Sequence, residues 1–87
     1  METREFEIKN ELGIHARPAS ALVEIAGKFE SDIKLIKDDI NVDAKSIMGV
    51  MILAAPYGST VTVKAEGSDE KEAVEAIAAL IENNFNE

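Results

Sequence analysis

The spacing of apolar residues along this 87-residue chain switches several times between every second position and every third or fourth. Each switch ends one element and begins another. Phe6 and Ile8 alternate with Glu5, Glu7 and Lys9, which predicts a strand. From Ala16 the pattern is helical: Ala19, Leu22, Val23 and Ala26 share a face, and Gly27 can stop the helix. Ile33 and Leu35 alternate with Asp32 and Lys34. Beyond Asp38-Asp39, Ile40, Val42 and Ala44 alternate with Asn41 and Asp43, so the two runs read as a hairpin. An apolar helix is expected from Ile47 to Leu53, then a turn over Pro56-Tyr57-Gly58-Ser59. Val61, Val63 and Ala65 alternate with Thr60, Thr62 and Lys64, the clearest strand of all. Ser68, with Asp69 and Glu70, reads as a cap and acidic first turn for a last helix striped by Val74, Ile77, Ala78 and Ile81. The predicted order is βαββαβα. Alternating strands imply a sheet with one apolar face, and amphipathic helices can cover it, giving a two-layer α+β sandwich.

A chain of this length suits one domain, residues 1–87, with no room for a deeply enclosed active site. Any chemistry is expected at the surface. Seventeen acidic residues against nine basic ones give a net charge of −8, which repels phosphate backbones and argues against nucleic acid as a partner. With no cysteine, disulfides and thiolate metal sites are excluded. The longest apolar run, Ile47 to Ala55, falls well short of the ~18 residues of a membrane span, and METREFEIKN does not resemble a signal peptide. The expected setting is the cytoplasm.

The only histidine lies in Gly13-Ile14-His15-Ala16-Arg17-Pro18-Ala19-Ser20. This places His15 just before a helix, at its N-cap or first position. The leading N–H groups of a helix lack intrahelical partners, and the dipole is positive there, so an anion is stabilised. Pro18 is tolerated in the first turn because its missing N–H would be unpaired anyway. The amides of Ala16 and Arg17 are then left to meet a ligand, and the Arg17 guanidinium suits phosphate oxygens. An imidazole, two amides and an arginine converging on one exposed point could accept a phosphoryl group on a ring nitrogen. The same residues also suit a histidine that merely caps or decorates the helix. A metal site has too few ligands. A Ser-His pair is disfavoured, because Ser20 lies within the helix and no orienting acid is near.

Ser46 precedes the apolar helix and is a natural N-cap. Its hydroxyl can simply satisfy an amide, or it can be a regulatory phosphorylation site. A phosphate there would sit on a helix N-terminus and add about two negative charges beside an apolar surface. The helix has no polar face. Val50 and Leu53 are expected to face the sheet, leaving Ile47, Met48, Met51 and Ile52 as an exposed apolar patch that fits protein partners. The acidic last helix is expected to be a solvated face, and Leu22, Val23, Ile77 and Ile81 to be core.

GIHARPAS, together with KSIMGVM from Lys45 to Met51 and the closing EGSDEKEAVEAI, resembles the HPr phosphocarrier family of the bacterial phosphoenolpyruvate-dependent sugar phosphotransferase system. The resemblance spans the chain. It implies an open-faced β-sandwich, a four-stranded antiparallel sheet covered on one face by three helices. It implies a carrier, not an enzyme, that acts as a monomer and needs no cofactor. His15 would take phosphate on Nδ1 from phospho-enzyme I and pass it to enzyme IIA domains, assisted by Arg17. Ile47, Met48 and Met51 would contact partners, and Ser46 would be the substrate of an HPr kinase/phosphorylase. Glu24 departs from the pattern, since many relatives carry Lys or Arg there; Arg17, Lys28 and Lys45 remain as local bases. The loop Ala54 to Ser59 departs too. Two alternatives remain: a nitrogen-related phosphorelay carrier of the NPr kind, and a regulatory module acting through Ser46, although its Crh-like relatives lack the active-site histidine and His15 counts against them.

Overall fold

The computed structural model describes residues 1–9, 11–53 and 55–86. The elements are β1 (Glu2–Glu7), α1 (Ala16–Ala26), β2 (Asp32–Lys37), β3 (Ile40–Asp43), α2 (Ile47–Leu53), β4 (Thr60–Glu66) and α3 (Glu70–Glu82), followed by a short 3-10 turn, Asn84–Asn86. The strands form one antiparallel sheet in the order β1-β4-β2-β3. The expected order and sheet-plus-helices architecture are both present. The Asp38-Asp39 turn works because Asp38 adopts a left-handed backbone, φ 53, a conformation that aspartate tolerates better than most residues.

Register explains the alternation. Phe6 sits opposite Val61 and Leu35 opposite Val63, while Ile33 faces Ala65. All of these side chains are buried under the helices. One residue out of step, Glu5, Thr62 and Ile36 line up across the same strands on the other face. A sheet with one buried face needs only this period of two to specify its pairing. α3 packs over β1 and β4, α2 over β2 and β3, and α1 lies against both helices. The stripe on α3 is wider than expected, because Ala73 and Leu80 are buried along with Val74, Ile77, Ala78 and Ile81.

Three details correct the sequence reading. The cap of α3 is not Ser68: the helix begins at Glu70 with Asp69 at its N-cap. The Asp69 carboxylate does not bond its own first turn. It accepts the amides of Glu30 and Ser31, each at 2.9 Å, and the Ser31 hydroxyl at 2.5 Å, fastening the entry of β2 to the head of α3. The first turn is acidic as expected, and Glu70 accepts the Gly67 amide at 3.2 Å and the terminal ammonium of Met1 at 2.6 Å. Val23 is half-buried at the margin of the core rather than inside it. The closing 3-10 turn was not expected at all; it turns Phe85 inward, only 3% exposed.

These contacts are electrostatic as well as geometric. Hydrogen bonds from the Ser31 hydroxyl first, and then the Glu30 amide, hold the Asp69 carboxyl below its ordinary pKa. The hydrogen bond from the terminal ammonium does the same for Glu70.

Candidate functional site

His15 is the N-cap of α1, in an extended backbone conformation with φ −108 and ψ −165. Its carbonyl accepts the Ala19 amide at 2.9 Å, the first bond of the helix ladder. Ala16 and Arg17 therefore occupy the leading positions whose N–H groups have no acceptor within the helix. Pro18, buried, offers no N–H. Ala16 and Arg17 are both exposed, while His15 is half-buried with its Nε2 shielded from solvent. The donors, the guanidinium and the imidazole thus share the positive end of one helix.

The segment leading into His15 is held by backbone contacts. Ile14 is buried, and its amide donates to the Ala55 carbonyl at 2.8 Å. Gly13 has φ +67, and a Cβ there would stand 2.5 Å from the Ala55 oxygen and 2.8 Å from Pro56 Cα. Only glycine meets both the dihedral and the close approach. This joint couples the histidine to the end of α2, since Leu53 is that helix's last residue.

Ser46 caps α2. Its Oγ accepts the Gly49 amide at 3.1 Å, and its carbonyl accepts the Val50 amide at 3.0 Å. The expected inward residues Val50 and Leu53 are buried, and Ile47, Met48, Met51 and Ile52 are exposed. Among the described residues, none covers this patch. Ser46 stands at the opposite end of α2 from the Ile14–Ala55 joint, about 10 Å along a seven-residue helix.

The bases named around the site stand in different settings. The Lys45 ammonium donates to the Phe29 carbonyl at 2.8 Å, and its amide to Asp43 Oδ1 at 2.9 Å. Lys45 thus ties its segment to the α1–β2 connection while remaining half-exposed. Lys28 follows the far end of α1, about 16 Å along the axis from His15. Arg17 is the base that remains beside the histidine, and Glu24 is exposed further along α1. Among the described residues, no group of three His, Cys, Asp or Glu side chains is placed to hold a metal ion. None of their helices is long and apolar enough to cross a membrane. A groove of about 370 Å³, lined by Glu5, Phe6, Glu7, Lys9, Ile81 and Glu82, does not include His15.

Two exposed side chains escaped the sequence reading: Leu12, 78% exposed, and Tyr57, 65% exposed. Each is a lone apolar residue in a turn, which generates no periodicity to detect. The contacts of Gly13 with Ala55 and Pro56 bring their two turns together.

Comparison with known proteins finds relatives that span nearly the whole chain. The family model described as the phosphotransferase-system HPr component phosphorylation site matches residues 2–83. The phosphocarrier protein HPr of Cupriavidus necator is 52% identical over 87 residues, covering 100% of this chain and 98% of its own. The HPr-like protein Crh of Halalkalibacterium halodurans is 49% identical over 82 residues, covering 94% of this chain and 98% of its own. Among solved structures, an HPr from Thermoanaerobacter tengcongensis superposes with a TM-score of 0.96 at 49% identity, covering 100% of this chain and 98% of that one.

Proposed function

Since this chain belongs to the HPr family of phosphocarrier proteins of the phosphotransferase system, we propose that His15 accepts a phosphoryl group from phospho-enzyme I and donates it to enzyme IIA domains in sugar uptake. The observation that carries the reading is the placement of His15 at the N-cap of α1, with the exposed Ala16 and Arg17 following it. Nε2 is shielded, and the reading therefore assigns the phosphoryl group to Nδ1. The Nδ1 lone pair attacks phosphorus as the bond from phosphorus to the donor breaks, and the second transfer reverses this exchange with the acceptor as nucleophile. The Ala16 and Arg17 amides and the Arg17 guanidinium take the phosphoryl oxygens, spreading charge in the transition state and in the phospho-form. Stabilisation at an exposed helix end is modest, on the order of 1 kcal/mol, which leaves the group transferable.

The carrier works as a monomer in the cytoplasm, and the apolar patch on α2 is the surface it offers to its partners. Incubation with enzyme I and phosphoenolpyruvate should add one acid-labile phosphate, absent from a His15→Ala variant. Equal labelling of that variant would falsify the assignment.

A regulatory step at Ser46 accompanies this reading, with an HPr kinase/phosphorylase as the modifying partner. A phosphate on Ser46 Oγ would add about two negative charges at the head of α2, beside the exposed Ile47 and Met48. It would oppose docking without unfolding the domain. A second reading is a module acting chiefly through Ser46, as the capping position of that hydroxyl on α2 allows; the presence of His15 counts against it. In that case Ser46→Asp alters partner affinity while His15→Ala leaves the function intact.

A further inference from the structure

The chain has no cysteine, so its sulfur lies entirely in three methionines, Met1, Met48 and Met51. All three are exposed, at 67%, 71% and 43%. Met48 and Met51 stand three positions apart on α2, which makes them neighbours on one side of that helix. Ile47 and Ile52 are exposed beside them, and neither carries a polar atom in its side chain. Two of the three sulfurs therefore lie within the apolar patch that the carrier reading offers to partners, and none lies in the core. α2 is anchored from its other side by the buried Val50 and Leu53. Its head is held by the Ser46 hydroxyl, 3.1 Å from the Gly49 amide.

With no thiol to compete, an exposed thioether is the side chain that a peroxide attacks most readily. The sulfur lone pair forms an S–O bond as the O–O bond of hydrogen peroxide breaks. Sulfur loses two electrons, the peroxide gains them, and water leaves. The product is a sulfoxide, polar and chiral where the thioether was apolar. On the free chain its oxygen stays hydrated, and the anchoring side of α2 is untouched. Under a docked partner the oxygen must shed that water, and an apolar contact returns no donor. The penalty thus falls on the complex and spares the fold. We propose that Met48 and Met51 are oxidation sites through which a peroxide weakens docking of this chain, reversibly, because thiol-dependent sulfoxide reductases restore the thioether. The inference rests on the carrier reading, whose docking surface it uses. It adds to that surface an uncharged, redox-driven control that is independent of the Ser46 hydroxyl.

The test treats the full chain with hydrogen peroxide and locates the added oxygen by peptide mass spectrometry. KM and kcat for phosphoryl transfer from phospho-enzyme I are measured before and after. Met48 and Met51 should both carry oxygen, and KM should rise roughly tenfold with kcat preserved, the size expected for burying one unpaired polar group at an interface. A chain with Met48→Leu and Met51→Leu, read against its own untreated KM, should change by less than about twofold, although its Met1 is still oxidised. Sulfoxide reductases acting on both epimers should return the oxidised chain to its starting KM. Four results overturn the inference: Met48 and Met51 resisting oxidation, an unchanged KM with both oxidised, an equal rise in the double variant, or a rise accompanied by loss of helical circular dichroism. Failure of the untreated chain to take phosphate on His15 is a separate result, which defeats the carrier reading and this inference with it.

Discussion

The Ser31 hydroxyl donates to Asp69 Oδ1 at 2.5 Å, joining the start of β2 to the N-cap of α3 across 38 positions of sequence. Ser31 is the buried polar side chain of the core, 1% exposed, and its partner carboxylate satisfies it. An ionised Asp69 is therefore worth more to the folded chain than to the unfolded one.

That difference fixes a pH dependence. The Asp69 carboxyl is held below its ordinary pKa by Ser31 and then Glu30, and Glu70 by the terminal ammonium. Groups depressed in the fold contribute stability above the unfolded value, about 4 for carboxylates, and lose it as pH falls through the folded value. Melting temperature should hold between about pH 7 and pH 5 and fall below about pH 4. The advantage of the native chain over Asp69→Asn should shrink across the same acid range. A constant advantage down to pH 2 would contradict the assignment.

Gly13→Ala should be disproportionately damaging for so small a change. The new methyl meets the Ala55 oxygen at 2.5 Å in a backbone of φ +67. The left-handed conformation alone costs about 1–3 kcal/mol for a residue with a Cβ. Denaturant midpoints measure that loss. Phosphorylation of His15, assayed well below the midpoint, should slow as well, because the same joint places the imidazole.

At Ser46 the cap and the proposed regulation can be separated. Ser46→Ala removes the bond to the Gly49 amide and should lower stability by about 1 kcal/mol. Ser46→Asp keeps an oxygen acceptor and favours the helix dipole, so its denaturant midpoint should match that of the unmodified chain. Its KM towards phospho-enzyme I should nonetheless rise. A Ser46→Asp chain that is as poorly folded as Ser46→Ala would point to the cap alone.

Phe85→Ala tests the tail. The ring is 3% exposed although it lies beyond the last helix, with φ 58. Emptying such a position costs about 3–5 kcal/mol in well-packed cores, and guanidinium unfolding should show it. A cost below 1 kcal/mol would mean that the tail does not close the core.

Much of the architecture was legible because period and layer are coupled. Val61, Val63 and Ala65 could alternate with Thr62 and Lys64 only as a strand with one buried face, and the shared stripe of Leu22 and Ala26 only as a covering helix. The candidate site was legible for a related reason. His15, Arg17 and Pro18 are neighbours in sequence, and the first turn of a helix keeps neighbours together. Ser46 and the apolar α2 were readable on the same local terms.

What the sequence left open depends on partners distant along the chain. Asp69 reads as part of a local cap, yet it serves Ser31; Lys45 reads as a local base, yet its ammonium is held by the Phe29 carbonyl. The turns that carry Leu12 and Tyr57 come together only where Gly13 meets Ala55 and Pro56. The seven main strands and helices, most of their buried positions and the histidine at a helix tip could be read from the residues in order, because short-range backbone geometry and burial set them. Only packing brought Asp69 to Ser31, the Lys45 ammonium to Phe29 and Gly13 to Ala55, because these contacts depend on which distant residues come into hydrogen-bond and van der Waals range.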